Sequence, residues 1–569
     1  MSTNPFQSRP WLAAYAEGVP AEIESPTQTL PEMITATVKA FGRRPALEFF
    51  GATTTYAQLG DQIQRAAEGL RRLGVSKGDR VAIVLPNCPQ HVVAFYAVLR
   101  LGAIVIEHNP LYTARELRHQ FEDHGAQVAI VWDKMVDTVA DFPSDVRPAR
   151  IISVDMTEAL PTAKRLALRL PIAKARESRA ALTGTPKLRH PLAWRKLLDR
   201  GRLSSRVPGP TLEDIAVLQY TSGTTGSPKG AMLSHSNLQA NAMQGAAWVP
   251  GLVEGEETFY GILPLFHAYG MTLCLTTAMS LGAKLVLFPK FDVGLAAEAA
   301  RKSPPTFLPA VPPIYEQLAR AAARKTMDLS KVRFSISGAM SLPVGTVRRW
   351  EEATGGLLVE GYGMTESSPI AIGNPMGPSR RPGTVGVPFP STEIRVVDPA
   401  DPTVDRPLGE TGELLVRGPQ VFQGYWRRPA ETAETLLADG WLRTGDIASV
   451  SPDGFVTIVD RLKELIITGG FNVSPTEVED TLRSHPDIDD AAVVALPRSH
   501  GGEDVAAAVV LRSGATLEPE GLRDYCRSRL AAYKVPKRIV QMDDLPRSLI
   551  GKVMRREVRE QILATTSTK

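Results

Sequence analysis

Tyr220-Thr221-Ser222-Gly223-Thr224-Thr225-Gly226-Ser227-Pro228-Lys229-Gly230 lies between two short apolar runs, Ile215 to Leu218 and Ala231 to Leu233, and each run reads as a buried strand. The stretch is therefore a loop joining two strands. Its Ser and Thr hydroxyls, its three glycines and Lys229 give a backbone whose N–H groups can turn toward an anion with no side chain in the way. Such a loop suits polyphosphate. A Walker loop is excluded, because that pattern needs Gly-Lys followed by Ser or Thr and then a helix, whereas here Pro228 precedes Lys229, Gly230 follows it and a strand comes next. The dinucleotide fingerprint fails on spacing too. A Ser/Thr/Gly-rich surface loop that binds nothing is the plain alternative, and the rest of the chain decides between the two.

Working outward, the flanking sequence has an α/β pattern. Arg80 to Leu85 reads as a strand, Pro89 to Leu101 as a helix and Ala103 to Ile106 as a strand, which is a βαβ unit of a parallel sheet. Short apolar runs at Gln127 to Trp132 and Ile151 to Val154 continue it, with Ala114 to His124 helical between them. After the loop, Ala268 to Leu281 and Ile314 to Ala323 read as helices, and Ala283 to Phe288, Thr306 to Pro309 and Val332 to Ser337 as strands. Residues 1 to about 50 read as a polar lead with one amphipathic helix, Leu30 to Phe41. From Thr384 the pattern shifts to short alternating strands, a β-rich subdomain to about residue 460 with Asp453-Gly454 as a hairpin turn. Beyond it, Ser474-Pro475-Thr476-Glu477 opens a helix, and strands at Ala491 to Leu496, Val505 to Leu511 and near Arg538 complete a compact α+β unit. The expected fold is α/β: a large N-terminal domain of doubly wound subdomains plus the β-rich subdomain, residues 1–460, then a hinge at 461–463 and a mobile α+β domain, 464–569.

Composition limits the function classes. At 569 residues several domains are expected, and 43% hydrophobic with 22% charged residues is ordinary for a globular enzyme. A formal charge of +4 makes no case for nucleic acid as a partner. Cys88, Cys274 and Cys526 are far apart and lack metal-ligand spacing, which suits a reducing cytoplasm. No signal-like N-terminus and no long apolar run occur, so neither export nor a membrane span is expected. Residues 161–206 stand out, with 13 Lys and Arg against Glu177 and Asp199, and Leu166, Leu168, Leu170 and Ile172 between the charges. Two readings apply: a solvated helical insertion, or a basic amphipathic segment in peripheral contact with an anionic membrane.

The chemistry-bearing strings occur in a fixed order. After the loop come Ser337-Gly338-Ala339, Glu360-Gly361-Tyr362-Gly363-Met364-Thr365-Glu366, Thr444-Gly445-Asp446, Asp460-Arg461-Leu462-Lys463 and Gly551-Lys552. This ordered set resembles the adenylate-forming enzymes, which include acyl-CoA synthetases, luciferases and peptide-synthetase adenylation domains. The resemblance covers nearly the whole chain, and it implies ATP, Mg²⁺ and coenzyme A as cofactors. It implies that the loop's N–H groups, with Thr221, Ser222, Gly223, Thr224, Thr225, Gly226 and Lys229, hold the β- and γ-phosphates, and that Glu366 binds Mg²⁺ with Thr221 as second contact. Gly338 and Ala339 would leave room for adenine, Tyr362 would stack on it, and Glu360, Gly361, Gly363, Met364 and Thr365 would complete the nucleotide site. Asp446, helped by Arg461, would bind the ribose hydroxyls, and Lys552 would be the catalytic lysine. Lys463 would be the hinge on which the C-terminal domain rotates, and Gly469 and Gly470 would line the pantetheine channel.

The acid is read from the segment Leu263-Pro264-Leu265-Phe266-His267. By resemblance it lines the passage between carboxylate and thiol, with His267 as a wall residue or a base. Amino-acid-activating relatives place Asp just after the aromatic residue of this segment; His267-Ala268-Tyr269 offers no carboxylate, so an α-amino acid is not expected. Asn109-Pro110-Leu111-Tyr112-Thr113, the basic segment and the aliphatic run Met271 to Leu281 resemble fatty acyl-CoA synthetases more than aryl ones. Medium-chain, dicarboxylic and aryl acids stay open, as do transfer to a carrier-protein thiol and, outside the enzymes, a silent nucleotide-binding protein.

Overall fold

The structure is a computed structural model that describes residues 5–188, 191–221, 228–462, 464–468, 471–498, 503–548 and 551–565. The chain forms two compact units: residues 14–393 with 417–442, and residues 1–13 with 394–416 and 443–569.

The larger unit is built on two sheets. The seven-stranded one runs, in spatial order, Leu192–Ala193, Arg150–Val154, Val128–Trp132, Arg80–Val84, Ile104–Glu107, Ile215–Thr221, Lys229–Ser234. All neighbours are parallel except the last pair, an antiparallel hairpin at the edge. Parallel neighbours require crossovers, and helices supply them. The helix Pro89–Arg100 is one, and every residue from Pro89 to Leu99 is buried, as expected of a helix apolar on most sides and packed between layers. The nine-stranded sheet runs Val387–Pro388, Ile370–Gly373, Leu357–Gly363, Phe334–Ser337, Phe307–Ala310, Thr258–Gly261, Lys284–Leu287, Pro45–Phe49, Ala52–Thr55. Its central strands are parallel and its edges antiparallel. Its core holds Tyr315 and Trp350, both fully buried, in an edge-to-face pair with centroids 4.7 Å apart.

Two sequence expectations change in this unit. The polar lead ends earlier than residue 50, because Pro45–Phe49 is a sheet strand, parallel to Lys284–Leu287. Glu48 interrupts its apolar run, yet Glu48 is buried and accepts a hydrogen bond from the Ser303 hydroxyl. The basic stretch also divides. Leu192–Ala193 pairs with Arg150–Val154, and the following helix Trp194–Leu198 buries Trp194 and Leu197, so this part belongs to the sheet layer. Residues 162–182 form a surface element in which, among the described residues, Ala175 alone is buried. Among the described residues, no helix is long and apolar enough to cross a membrane.

The smaller unit contains a four-stranded sheet in the order Glu393–Val397, Thr411–Arg417, Leu442–Val450, Val456–Arg461. A three-stranded sheet follows, with Ile488–Pro497 antiparallel to Glu503–Leu511 and Arg538–Gln541 parallel to the latter. Alternation along these strands serves two faces. Val493, Val505, Ala507 and Val509 pack with Val478, Leu482, Leu522 and Cys526 of the helices Pro475–Arg483 and Pro519–Arg527. Val494, Ala506 and Ala508 pack with Val558 and Ile562 of the helix Arg555–Ala564. The helix Pro475–Arg483 starts where Ser474 Oγ accepts from the Glu477 N–H at 3.2 Å, and the buried Asp460 carboxylate accepts from Ser474 Oγ (2.7 Å) and the Thr476 N–H (2.9 Å).

Candidate active site

In the larger unit the phosphate-loop candidate is the tip of the edge hairpin. Thr221 faces Lys229 across the ladder and Tyr220 faces Gly230, so the two ends of the loop are clamped. The Tyr220 hydroxyl donates to Asp123 Oδ2 at 2.7 Å, which fixes the first strand from below. A third segment joins the hairpin: the Met232 N–H donates to the Gly424 carbonyl (2.9 Å) and the Trp426 N–H to the Gly230 carbonyl (2.8 Å). That pairing brings the Tyr425 ring to 5.0 Å from Lys229 Nζ. The Tyr425 hydroxyl donates to Glu366 Oε1 at 2.6 Å, and Glu366 is buried. Burial first, then the Glu366 charge, pushes the phenol well above its usual range, so it stays a donor. Lys229, Tyr425 and Glu366 thus form one chain of contacts at the base of the loop. Ser222, Gly223, Thr224, Thr225 and Gly226 lie outside the described residues.

Glu366 is held by local geometry. It sits in a single 3₁₀ turn, Thr365–Ser367, directly after the strand Leu357–Gly363 and a hydrogen bond from the Met364 N–H to the Pro369 carbonyl. Gly363 is required here, since a Cβ would lie 1.8 Å from the Pro369 carbonyl oxygen. The strands Phe334–Ser337 and Leu357–Gly363 are parallel neighbours with Ser337 opposite Glu360. Gly338-Ala339 therefore leave the first strand where Gly361-Tyr362 continue the second, paired there with Ile370–Gly373. Gly338 borders the Tyr269 ring, which a Cβ would approach to 3.1 Å, and the Tyr269 hydroxyl is fixed by donating to the Ile336 carbonyl at 2.7 Å. Ala339 adopts a left-handed φ of 65°, and Tyr362 is half-buried. Ser337 Oγ is buried without a hydrogen-bond partner among the described residues. The small residues and the unpartnered hydroxyl suit the approach of a flat, polar-edged group. Glu360 is buried, and that burial raises its carboxyl to about 8, so it carries a proton at neutral pH.

His267 follows the strand Thr258–Gly261 and precedes a π-helical turn, Gly270–Thr276, all of whose residues are buried. Desolvation lowers the imidazole to about 4, so the ring is neutral. The Tyr269 N–H donates to Nδ1 at 3.2 Å, which assigns the proton to Nε2 and makes the ring a donor there. Two residues that the sequence does not single out hold this segment. Asn87 donates to the Gly261 and Leu263 carbonyls (2.9 and 2.8 Å) and accepts from the Leu265 N–H (2.8 Å), and Gln219 donates to the Phe266 carbonyl at 2.8 Å. Tyr425 is the third missed residue. Its only signal is an aromatic pair after glycine, Gly424-Tyr425-Trp426.

In the smaller unit, Asp446 and Arg461 are direct partners across the strands Leu442–Val450 and Val456–Arg461, with Oδ1 to Nε 3.3 Å and Asp446 buried. Gly445 is tied into the same corner: its N–H donates to Glu413 Oε1 (3.3 Å) and its carbonyl accepts from the Leu462 N–H (2.8 Å). Lys552 joins them. It lies on a tight turn in which the Ser548 N–H donates to the Lys552 carbonyl at 2.8 Å and the Lys552 N–H to Ser548 Oγ at 3.2 Å. Burial, and next the Arg461 charge, lower the ammonium to about 8, with Glu464 and Asp446 pulling the other way. Asp446, Arg461 and Lys552 therefore form one electrostatic cluster. The expected hinge Lys463 and channel residues Gly469 and Gly470 lie outside the described residues.

A crossover α/β body whose edge hairpin is tied through Tyr425 to the buried Glu366, together with a small α+β unit carrying an Asp-Arg-Lys cluster, suits a nucleotide-handling enzyme. The chain belongs to the AMP-binding enzyme family, which matches residues 34–426, and the AMP-binding enzyme C-terminal domain matches residues 477–552. It is 38% identical over 553 residues to a long-chain-fatty-acid–CoA ligase of Bacillus subtilis (strain 168), covering 97% of this chain and 98% of that one. A protein of the same description from Yersinia pestis is 38% identical over 566 residues, covering 98% and 99%. Among solved structures, ATP-bound MatB from Rhodopseudomonas palustris superposes with a TM-score of 0.78 at 29% identity, covering 94% of this chain and 99% of that one.

Proposed function

We propose that this protein is an AMP-forming long-chain fatty acid–CoA ligase. It joins a fatty acid to the α-phosphate of ATP, releasing pyrophosphate, and then passes the acyl group to the thiol of coenzyme A, leaving AMP. The end-to-end similarity to the bacterial long-chain ligases carries this reading. The ordered set of chemistry-bearing strings supports it.

A carboxylate resists thiol attack because its charge is delocalised, so it needs a leaving group first. In the first step a carboxylate oxygen attacks the α-phosphorus and the bond to the β-phosphate oxygen breaks, so negative charge gathers on phosphate oxygens. Thr221, Lys229 and the loop hold the departing pyrophosphate. Gly338, Ala339 and the 360–365 stretch hold the base, and Asp446 accepts hydrogen bonds from the ribose, with Arg461 orienting it. The Lys552 ammonium serves to cancel charge as the two anions meet. The hard oxygen donors at Glu366 and Thr221 fit Mg²⁺, which when bound neutralises phosphate charge.

Tyr425 positions Glu366 for that task. In Tyr425→Phe the Mg²⁺ concentration for half-maximal adenylate formation is expected to rise about tenfold, the scale of one lost hydrogen bond to a charged group, with the thermal midpoint little changed. An unchanged Mg²⁺ requirement would assign Tyr425 to packing alone.

For the second step the lysine must leave the thiol's path, and we assign that movement to rotation of residues 464–569 about Lys463. Proline there fixes φ. Lys463→Pro is expected to keep adenylate formation within a few-fold and to slow thioester formation by about tenfold or more. Loss of both steps to the same degree would count against the hinge.

The substrate assignment is tested by thioester formation from ATP, coenzyme A and palmitate, octanoate, ferulate or malonate, read by mass spectrometry. Palmitate is expected to show the highest kcat/KM. A higher value for ferulate or malonate would replace the long-chain assignment.

A further inference from the structure

Residues 162–182 form two short helices, Thr162–Ala167 and Ala173–Leu182, joined by a turn. The first buries no residue and the second buries only Ala175. Leu166 of the first helix and Leu170 and Ile172 of the turn face water instead, 56%, 51% and 54% exposed. Among the described residues these are three of the eleven strongly exposed large hydrophobics, and they fall within seven consecutive positions. Single exposed apolar residues are normal, but a cluster marks a contact surface. Within residues 162–182 stand Lys164, Arg165, Arg169, Lys174, Arg176 and Arg179 against Glu177 alone, and from outside the segment Glu298 meets Lys164.

The segment is fastened at both ends. Trp132 Nε1 donates to the Leu182 carbonyl at 2.9 Å and Lys134 Nζ to the Ala180 carbonyl at 2.7 Å, while the Thr183 hydroxyl bonds the Asp133 carboxylate. At the near end Lys164 pairs with Glu298 at 2.8 Å. The exposure of the leucines thus belongs to an anchored element.

We propose that residues 162–182 dock on an anionic lipid bilayer, with Leu166, Leu170 and Ile172 entering the boundary between headgroups and acyl chains and the surrounding Lys and Arg meeting lipid phosphates. A stable protein partner needs about 800 Å² of shaped surface per side, with a core poor in lysine. Three apolar side chains ringed by long flexible cations match a fluid anionic surface, which requires no fixed complement. The inference does not depend on which acid the enzyme activates.

The test is co-sedimentation of the purified full-length protein with vesicles of phosphatidylglycerol and phosphatidylcholine, and with phosphatidylcholine alone. Binding is expected only to the phosphatidylglycerol vesicles, and high salt should release it. The variant L166S/L170S/I172S should lose about tenfold or more in partitioning. The charge variant R165Q/R169Q/K174Q/R176Q should lose as much while leaving the apolar tip intact. Both should keep wild-type activity on a short, water-soluble acid, which shows that they fold. Equal binding to both vesicle types, no binding to either, or unchanged partitioning of both variants would overturn the proposal. Self-association that the Leu and Ile changes abolish, without vesicle binding, would assign the patch to a second copy of the chain and overturn it too.

Discussion

Lys552→Ala is expected to slow acyl-adenylate formation by about 10²–10³-fold while ATP affinity stays within a few-fold. On the proposed mechanism the cost falls on the step in which two anions approach, since the ammonium would cancel charge only there. The same residue sets a pH limit. With its ammonium lowered to about 8 by burial beside Arg461, Lys552 is charged below that pH and loses its proton above it. Adenylate formation is thus expected to fall as pH rises through about 8, and Lys552→Arg, which stays charged, should remove that falling limb. Pre-steady-state pyrophosphate release across a pH series checks both statements. A falling limb retained in Lys552→Arg would place the titrating group elsewhere.

The second large effect is expected at Glu366. Glu366→Gln keeps the size of the side chain and an oxygen to accept from Tyr425, and it removes only the charge. If the carboxylate serves a metal, adenylate formation should fall by about 10²–10³-fold and excess Mg²⁺ should rescue it in part. If it serves only as a partner for Tyr425, activity should stay near wild type. Mg²⁺ titration of pyrophosphate–ATP exchange, alongside a thermal melt, separates the two.

Legibility in the sequence varied with how local the cause was. The strands Arg80–Val84, Val128–Trp132 and Arg150–Val154 are plain in their apolar runs, because a strand buried on both faces needs little else. The helix Leu30–Phe41 carries its own start signal in Thr29 and Glu32. The strand Leu442–Val450 was missed although it carries Asp446, since Gly445-Asp446 and a register shift between Ile447 and Ala448 break its alternation. Pro45–Phe49 was hidden by Glu48, whose partner Ser303 is remote in sequence. Tyr425 stands 59 positions from Glu366, and only the pairing of its segment with the hairpin joins them. Asp446, Arg461 and Lys552 were legible as a set through resemblance alone. A lone lysine after glycine has no local mark of its function, and the lowered ammonium arises from neighbours that folding supplies.

The acyl-adenylate route is tested most directly by following oxygen from the acid. The enzyme is supplied with palmitate labelled with ¹⁸O in both carboxylate oxygens, ATP and coenzyme A, and the nucleotide product is analysed by mass spectrometry. Carboxylate attack on the α-phosphorus leaves one acid oxygen on phosphorus when the thiol displaces AMP, so one ¹⁸O is expected in AMP and none in pyrophosphate. Label in inorganic phosphate with ADP as product, or thioester formed with unlabelled AMP, would contradict the account.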